Sequence, residues 1–213
     1  MKKILIVLGL VFGIAIVVLA VGLVRDPIEH QNPFSVLSIE EIAVRHAKGM
    51  TVAGFRIDPN TVEAIQKVEI NDMALVLVQY SGYRTEGEAE LCEMVLEIEK
   101  KPLKQWKANG GSGLCHKMND PLNTVPITVV SGYGTSTLLD RGYSTAFGYL
   151  RDDQITKVVV TWEDGLVEPA NVRANTYLTV RSSGFHVEKV ETYNNIGEVV
   201  FESDYPNTEE SKH

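Results

Sequence analysis

The chain reads as a mainly β, α+β protein: an N-terminal transmembrane helix, a small α+β unit, then an antiparallel β-sandwich. Three observations predict this. An unbroken apolar run fills residues 4–24. One helical periodicity follows, at about residues 39–48. From residue 50 onward the apolar residues take strand spacing, interrupted by clusters of Gly, Asn, Asp and Ser.

Ile4 to Val24 is 21 residues without a charge or strongly polar group. A helix of that length rises about 30 Å, the thickness of a bilayer's hydrocarbon core. Lys2 and Lys3 precede it, while Asp26 and Glu29 sit close to Arg25 behind it. Positive residues stay on the cytoplasmic side, so the N-terminus is expected inside and the C-terminal domain outside the cell membrane. The alternative is a signal peptide cleaved near Ala20-Val21-Gly22. Signal peptides carry a shorter apolar core, of about 7–15 residues, which favours an uncleaved anchor. Gly9 and Gly13 form a small-xxx-small pair of the kind that brings membrane helices together.

Residues 25–37 hold Pro27, Pro33 and mixed charge, and read as a stalk. The α+β unit then spans 38–118. Ser38 and Glu41 have the spacing of a capping box. Ile39, Ile42, Ala43, His46 and Ala47 recur at helical intervals behind it, and Gly49 is a natural stop. Strands are predicted at 50–57, 62–70, 74–80, 91–99 and 103–108. Ala74 to Val78 is apolar at every position, as in a strand covered on both faces. Asn71-Asp72 is a turn signal.

Residues 119–125 read as a linker, 126–205 as the sandwich and 206–213 as a polar tail. Strands are predicted at 127–131, 143–150, 155–162, 166–172, 176–180, 185–192 and 198–203. The breaks contain residues that turn at low cost. Seven short strands within about 80 residues point to an antiparallel sandwich. Trp162 shares a face with Val158 and Val160, and Tyr143 shares one with Phe147 and Tyr149; both sets read as core. Ser81-Gly82-Tyr83 and Ser131-Gly132-Tyr133 each follow an apolar strand, but their flanks do not align well, so a duplication is the weaker reading.

The formal charge is −8, from 28 acids and 20 bases. With Lys2 and Lys3 set aside, residues 25–213 carry −10. An acidic exterior repels phosphates, which excludes nucleic acid and anionic surfaces as partners. Apolar residues at 44% and charged residues at 23% exclude a disordered chain. The two cysteines, Cys92 and Cys115, have no zinc-ligand spacing. Outside the membrane a pair of thiols is exposed to oxidation, so a Cys92–Cys115 disulfide is expected. Two separate buried thiols are the alternative.

No catalytic constellation is complete. A nucleophile elbow needs glycines two before and two after its serine. Gly110-Gly111-Ser112-Gly113-Leu114 lacks the second, so the segment reads as a flexible loop beside Cys115, with His116 nearby. Gly132-Tyr133-Gly134-Thr135-Ser136-Thr137 lacks the last glycine of a dinucleotide loop and reads as a long loop between strands. Its hydroxyls, on Tyr133, Thr135, Ser136 and Thr137, make it a candidate ligand loop for a sugar or peptide. Asp152-Asp153 and Glu163-Asp164-Gly165 lack calcium-loop spacing and read as hairpin turns. The histidines show no metal pattern, and His46 reads as an interior or rim residue. Glu93, Glu97 and Glu99 lie on the side of their strand opposite Cys92 and read as a solvated face. No cofactor or metal is expected.

The layout resembles small membrane-anchored extracytoplasmic proteins of Gram-positive bacteria. The resemblance is carried by the lysine-flanked helix, the capped short helix, and a W-x-x-x-G-G segment at Trp106, Gly110 and Gly111. A late segment adds Gly148, Tyr149, Asp152, Ile155, Val158, Val160, Asp164 and Gly165. It covers most of residues 1–203 and implies location and layout without an activity. The expected function is a non-catalytic protein-interaction or binding module of the cell envelope, with an envelope protein as partner. Two alternatives stand beside it: a hydrolase-like enzyme using the 110–116 loop, and a small-ligand or glycan receptor using the 131–143 loop.

Overall fold

A computed structural model of the chain describes residues 37–51, 54–84, 87, 89–101, 105–117, 125–135, 142–182 and 184–204. The anchor predicted at 4–24, nearly all of the stalk and linker, and the tail lie outside the described residues. No described helix is long and apolar enough to cross a membrane. The described residues from Ser38 onward belong to one compact unit.

The elements run α1 (Ile39–Gly49), β1 (Phe55–Ile57), β2 (Glu63–Ile70), β3 (Met73–Arg84), β4 (Ala89–Lys101), β5 (Gln105–Lys117), β6 (Val130–Gly134), β7 (Tyr143–Tyr149), β8 (Ile155–Trp162), β9 (Val167–Pro169), β10 (Asn171–Arg173), β11 (Thr176–Arg181), β12 (Val187–Asn194) and β13 (Val199–Asp204). All strand pairs are antiparallel. The first sheet has the order β1-β3-β4-β5, with β2 also on β3; the second is β10-β11-β7-β6 and the third β13-β12-β8-β9.

Helix α1 begins at the predicted capping box. The Glu41 amide donates to Ser38 Oγ at 3.1 Å, and the Ser38 amide donates to Glu41 Oε2 at 2.7 Å. Two of the helix's orphan N–H groups are thereby satisfied. Ile39, Ala43 and Ala47, four residues apart, form its buried stripe. That stripe covers the face of the first sheet carrying Ala74, Val76, Val78, Met94, Leu96 and Ile98.

The other face of the same sheet carries Met73, Leu75, Leu77 and Val95, which pack on Phe147 and Leu178 of the second sheet. β3 is therefore apolar at consecutive positions because both its faces are covered. The second sheet is covered twice as well. Its opposite face, with Ala146 and Tyr177, meets Val158, Val160, Trp162 and Val190 of the third sheet. Trp162, Tyr177 and Phe147 are the largest fully buried side chains. Each contributes about 1.5–3 kcal/mol or more on burial.

Two predicted loops are strand. Asn109-Gly110-Gly111-Ser112-Gly113 continues β5, instead of forming a flexible loop; Gly110 to Gly113 pair with β4, and Asn109 is the extra residue at a register shift. The reason is close packing: a Cβ on Gly111 or Gly113 would collide with the backbone oxygen of Val95 or Glu93. Glycine lets β5 lie tightly against β4 there, at the entropic cost of glycine in a strand. Gly132 to Gly134 likewise belong to β6, paired with Tyr143–Thr145 of β7. The single strand expected at 166–172 is two. β9 pairs with β8 in the third sheet, and after Ala170 β10 pairs with β11 in the second.

Candidate functional site

The termini of the first and second sheets approach each other through β5 and β6. A cleft of about 300 Å³ opens between them, lined by Val95 and Glu97 of β4, Asn109 to Ser112 of β5, and Gly132, Tyr133, Tyr143 and Thr145 of β6 and β7. Gly132 permits the approach. A Cβ there would sit 2.9 Å from Thr145 Oγ1 and 3.4 Å from Ser112 Oγ.

Glu97 is the charged group of the cleft. Tyr143 Oη donates to Glu97 Oε2 at 2.6 Å, tying the second sheet to the first. Asn109 Nδ2 stands 3.5 Å from Oε1. Burial and the neighbouring Glu97 carboxylate both raise the Tyr143 pKa, so the phenol stays a hydrogen-bond donor. The Glu97 carboxylate is thus oriented at one oxygen and weakly contacted at the other. It offers an acceptor to a hydroxyl, an ammonium or a guanidinium.

The reading of Glu93, Glu97 and Glu99 as a solvated face is corrected. Glu93 is 1% exposed and Glu99 4%. The second sheet covers this face, and nothing in the alternation of β4 announces that cover. Glu99 is compensated by Lys101 Nζ at 2.5 Å. Glu93 is compensated less: among the described residues no well-formed hydrogen bond reaches its oxygens, Gln79 and Arg151 favour its charged form only in part, and Nδ1 of His116 lies 3.5 Å from Oε2. Burial pushes the Glu93 carboxyl up to about 8 and the His116 imidazole down, the latter helped by Arg151. Both shifts favour the neutral form of the group. The His116 ring also lies 5.3 Å from that of Tyr149.

Ser112 and His116 stand on one strand, four residues apart, so about 13 Å separates them along β5. That is well beyond hydrogen-bond reach, and a nucleophile needs its base in reach. Cys92 and Cys115 face each other across β4 and β5, with Cα atoms 4.0 Å apart, and are joined by a disulfide. Tyr133 is 51% exposed, and its ring lies 6.2 Å from that of His186. Thr135 is exposed just after β6, while Ser136 and Thr137 lie outside the described residues. The acidic turns are internally used. Asp164 accepts from Arg181 at 2.6 Å through both carboxylate oxygens, and Asp152 accepts from the Gln154 amide at 2.9 Å. Among the described residues no group of three or more His, Cys, Asp or Glu gathers to hold a metal ion.

Ser112 and Tyr133, which belong to two separate glycine-rich segments, thus meet at one cleft. Glu97, Asn109 and Tyr143 carry no sequence signal as site residues, because a contact between residues 46 apart leaves no local pattern. No protein-family model, no curated protein and no solved structure matches this chain.

Proposed function

We propose that this chain is a non-catalytic binding module of the cell envelope, anchored by residues 4–24 with its C-terminal domain outside the cell. In this reading residues 126–205 act as a β-sandwich, the second and third sheets being its layers. The partner, an envelope protein, seats at the cleft between β5 and β6. The observation that carries the reading is the cleft itself. Glu97, Asn109, Ser112 and Thr145 converge on a solvent-open hollow, whereas Ser112 and His116 stand too far apart to act together. A few convergent polar groups in a concave site are the usual mark of a binding site. Tyr133, which also lines the hollow, keeps a glycan in view as a second class of occupant.

The test is a photoreactive side chain placed at Asn109 in the full chain, in its own membranes. The control is the same group at Ile196, which is 73% exposed on the β12–β13 turn. A discrete adduct from Asn109 alone is expected, with a protein mass. A carbohydrate adduct would move the reading to glycan reception. Identical adducts from both positions, or none from Asn109, would overturn it.

A further inference from the structure

Sheet edges offer unpaired N–H and C=O groups, and native proteins blunt them with shortness or charge. Most edges here are blunted in that way. β1, β9 and β10 have three residues each, and β6 has five. β2 carries Glu63, Lys67 and Glu69, and β13 carries Glu202 and Asp204. β5 departs from this pattern. It is terminal in its sheet and 13 residues long. Between Lys107 and Lys117 it holds no Asp, Glu, Lys or Arg.

The direction of its backbone groups follows from the disulfide pair. A Cα separation of 4.0 Å marks Cys92 and Cys115 as a narrow, non-hydrogen-bonded pair. The amide and carbonyl of Cys115 therefore point away from β4. By alternation, so do those of Gly113 and Gly111. Among the described residues no strand pairs with that side. Gly110 stands opposite Glu97, and a Cβ on it would meet nothing within 4 Å. Gly110 and the Glu97 side chain line the same cleft among the described residues. Strands lie about 4.8 Å apart, so a residue added opposite Gly110 has its Cα about 10 Å from that of Glu97. A lysine or arginine side chain meeting a glutamate spans that distance.

We infer that β5 accepts an extended peptide as an added strand, with a lysine or arginine side chain passing over Gly110 to meet Glu97. This rests on the cleft being the binding site and names its occupant. Main-chain bonds to Gly111, Gly113 and Cys115 supply affinity, and the charge pair supplies specificity. A second copy of the chain fits less well. Two-fold pairing centred on Ser112 places Lys107 of one copy opposite Lys117 of the other.

The test is amide exchange on the full, oxidised chain in detergent, with the acetylated and amidated hexapeptide Thr-Val-Thr-Lys-Val-Thr at millimolar concentration. Exchange across residues 109–115 is expected to slow about tenfold when the peptide stands at about ten times its Kd. Glutamate in place of the peptide's lysine should weaken binding about tenfold. N-methylation of alternate peptide residues should abolish protection. Glu97→Gln keeps an acceptor for Tyr143 and should erase the preference for lysine. No protection at 109–115, protection by the N-methylated peptide, or a lysine preference that survives Glu97→Gln would each overturn strand addition. So would equal protection without peptide that rises with protein concentration. An Asn109 adduct in membranes without peptide protection would reject strand addition and keep the cleft as a site; failure of both would reject both.

Discussion

Replacing Glu93 with Gln tests the electrostatics of the interior where the first two sheets meet. The carboxyl is 1% exposed, and no well-formed hydrogen bond reaches its oxygens among the described residues. Its pKa stands at about 8 in the fold against 4.5 unfolded, with burial as the main cause. A folded pKa above the unfolded one means that the native state binds the extra proton. Stability from this group is therefore complete below pH 4.5 and is lost as pH rises through 8. At 1.36 kcal/mol per pH unit the loss reaches about 5 kcal/mol by pH 9, and about 3 kcal/mol at pH 7. Glutamine keeps the shape of the protonated acid and does not titrate. Urea unfolding of both full chains, followed by Trp106 and Trp162 fluorescence from pH 5 to 9, measures the difference. The advantage of Glu93→Gln should grow with pH toward about 5 kcal/mol. His116 acts at the acid end: its lowered pKa gives stability that is present above pH 6.5 and lost below it. An advantage equal at pH 5 and pH 9 would refute the assignment of a proton to buried Glu93.

Other perturbations follow from the same geometry. Tyr143→Phe removes the 2.6 Å donor to Glu97 and should cost about 2 kcal/mol by urea unfolding, with a clear coupling to Glu97→Gln in a double-mutant cycle. Replacing both Cys92 and Cys115 by Ala opens a closed loop of sequence separation 23 and should lower stability by about 3 kcal/mol; unchanged denaturation after reduction would contradict this. Trp162→Ala empties a fully buried position between the second and third sheets and should cost about 3–5 kcal/mol, read by calorimetry. Ser112→Ala should leave any hydrolytic activity of the purified chain unaltered, and a specific loss of turnover would restore the catalytic reading.

Patterns carried within a few residues are legible in the amino-acid sequence alone. The Ser38–Glu41 capping box closes α1 as its spacing implies. Ala74 to Val78 is buried throughout, as an all-apolar strand requires. Asn71, at φ 54°, makes the turn that joins β2 to β3. Such features depend on neighbours in sequence, so residue type and spacing suffice to read them. What is illegible lies where distant strands meet. Glu93, Glu97 and Glu99 alternate with apolar residues as a half-exposed strand would, yet Glu93 and Glu99 are buried and Glu97 lines a cleft between two sheets. The glycines of 110–113 have loop composition, yet β4 holds them as strand because a side chain at 111 or 113 would not fit. Residues 166–172 read as one strand, yet the segment divides into β9 and β10, which join different sheets. Local propensity is worth tenths of a kcal/mol to about 1 kcal/mol per residue; packing of the second sheet buries Glu93 and Glu99, and backbone pairing with distant strands places the largely exposed 110–113 and 167–173 segments. The cleft belongs to this second class. Glu97 and Tyr143, on strands of two different sheets, become neighbours only when those sheets pack.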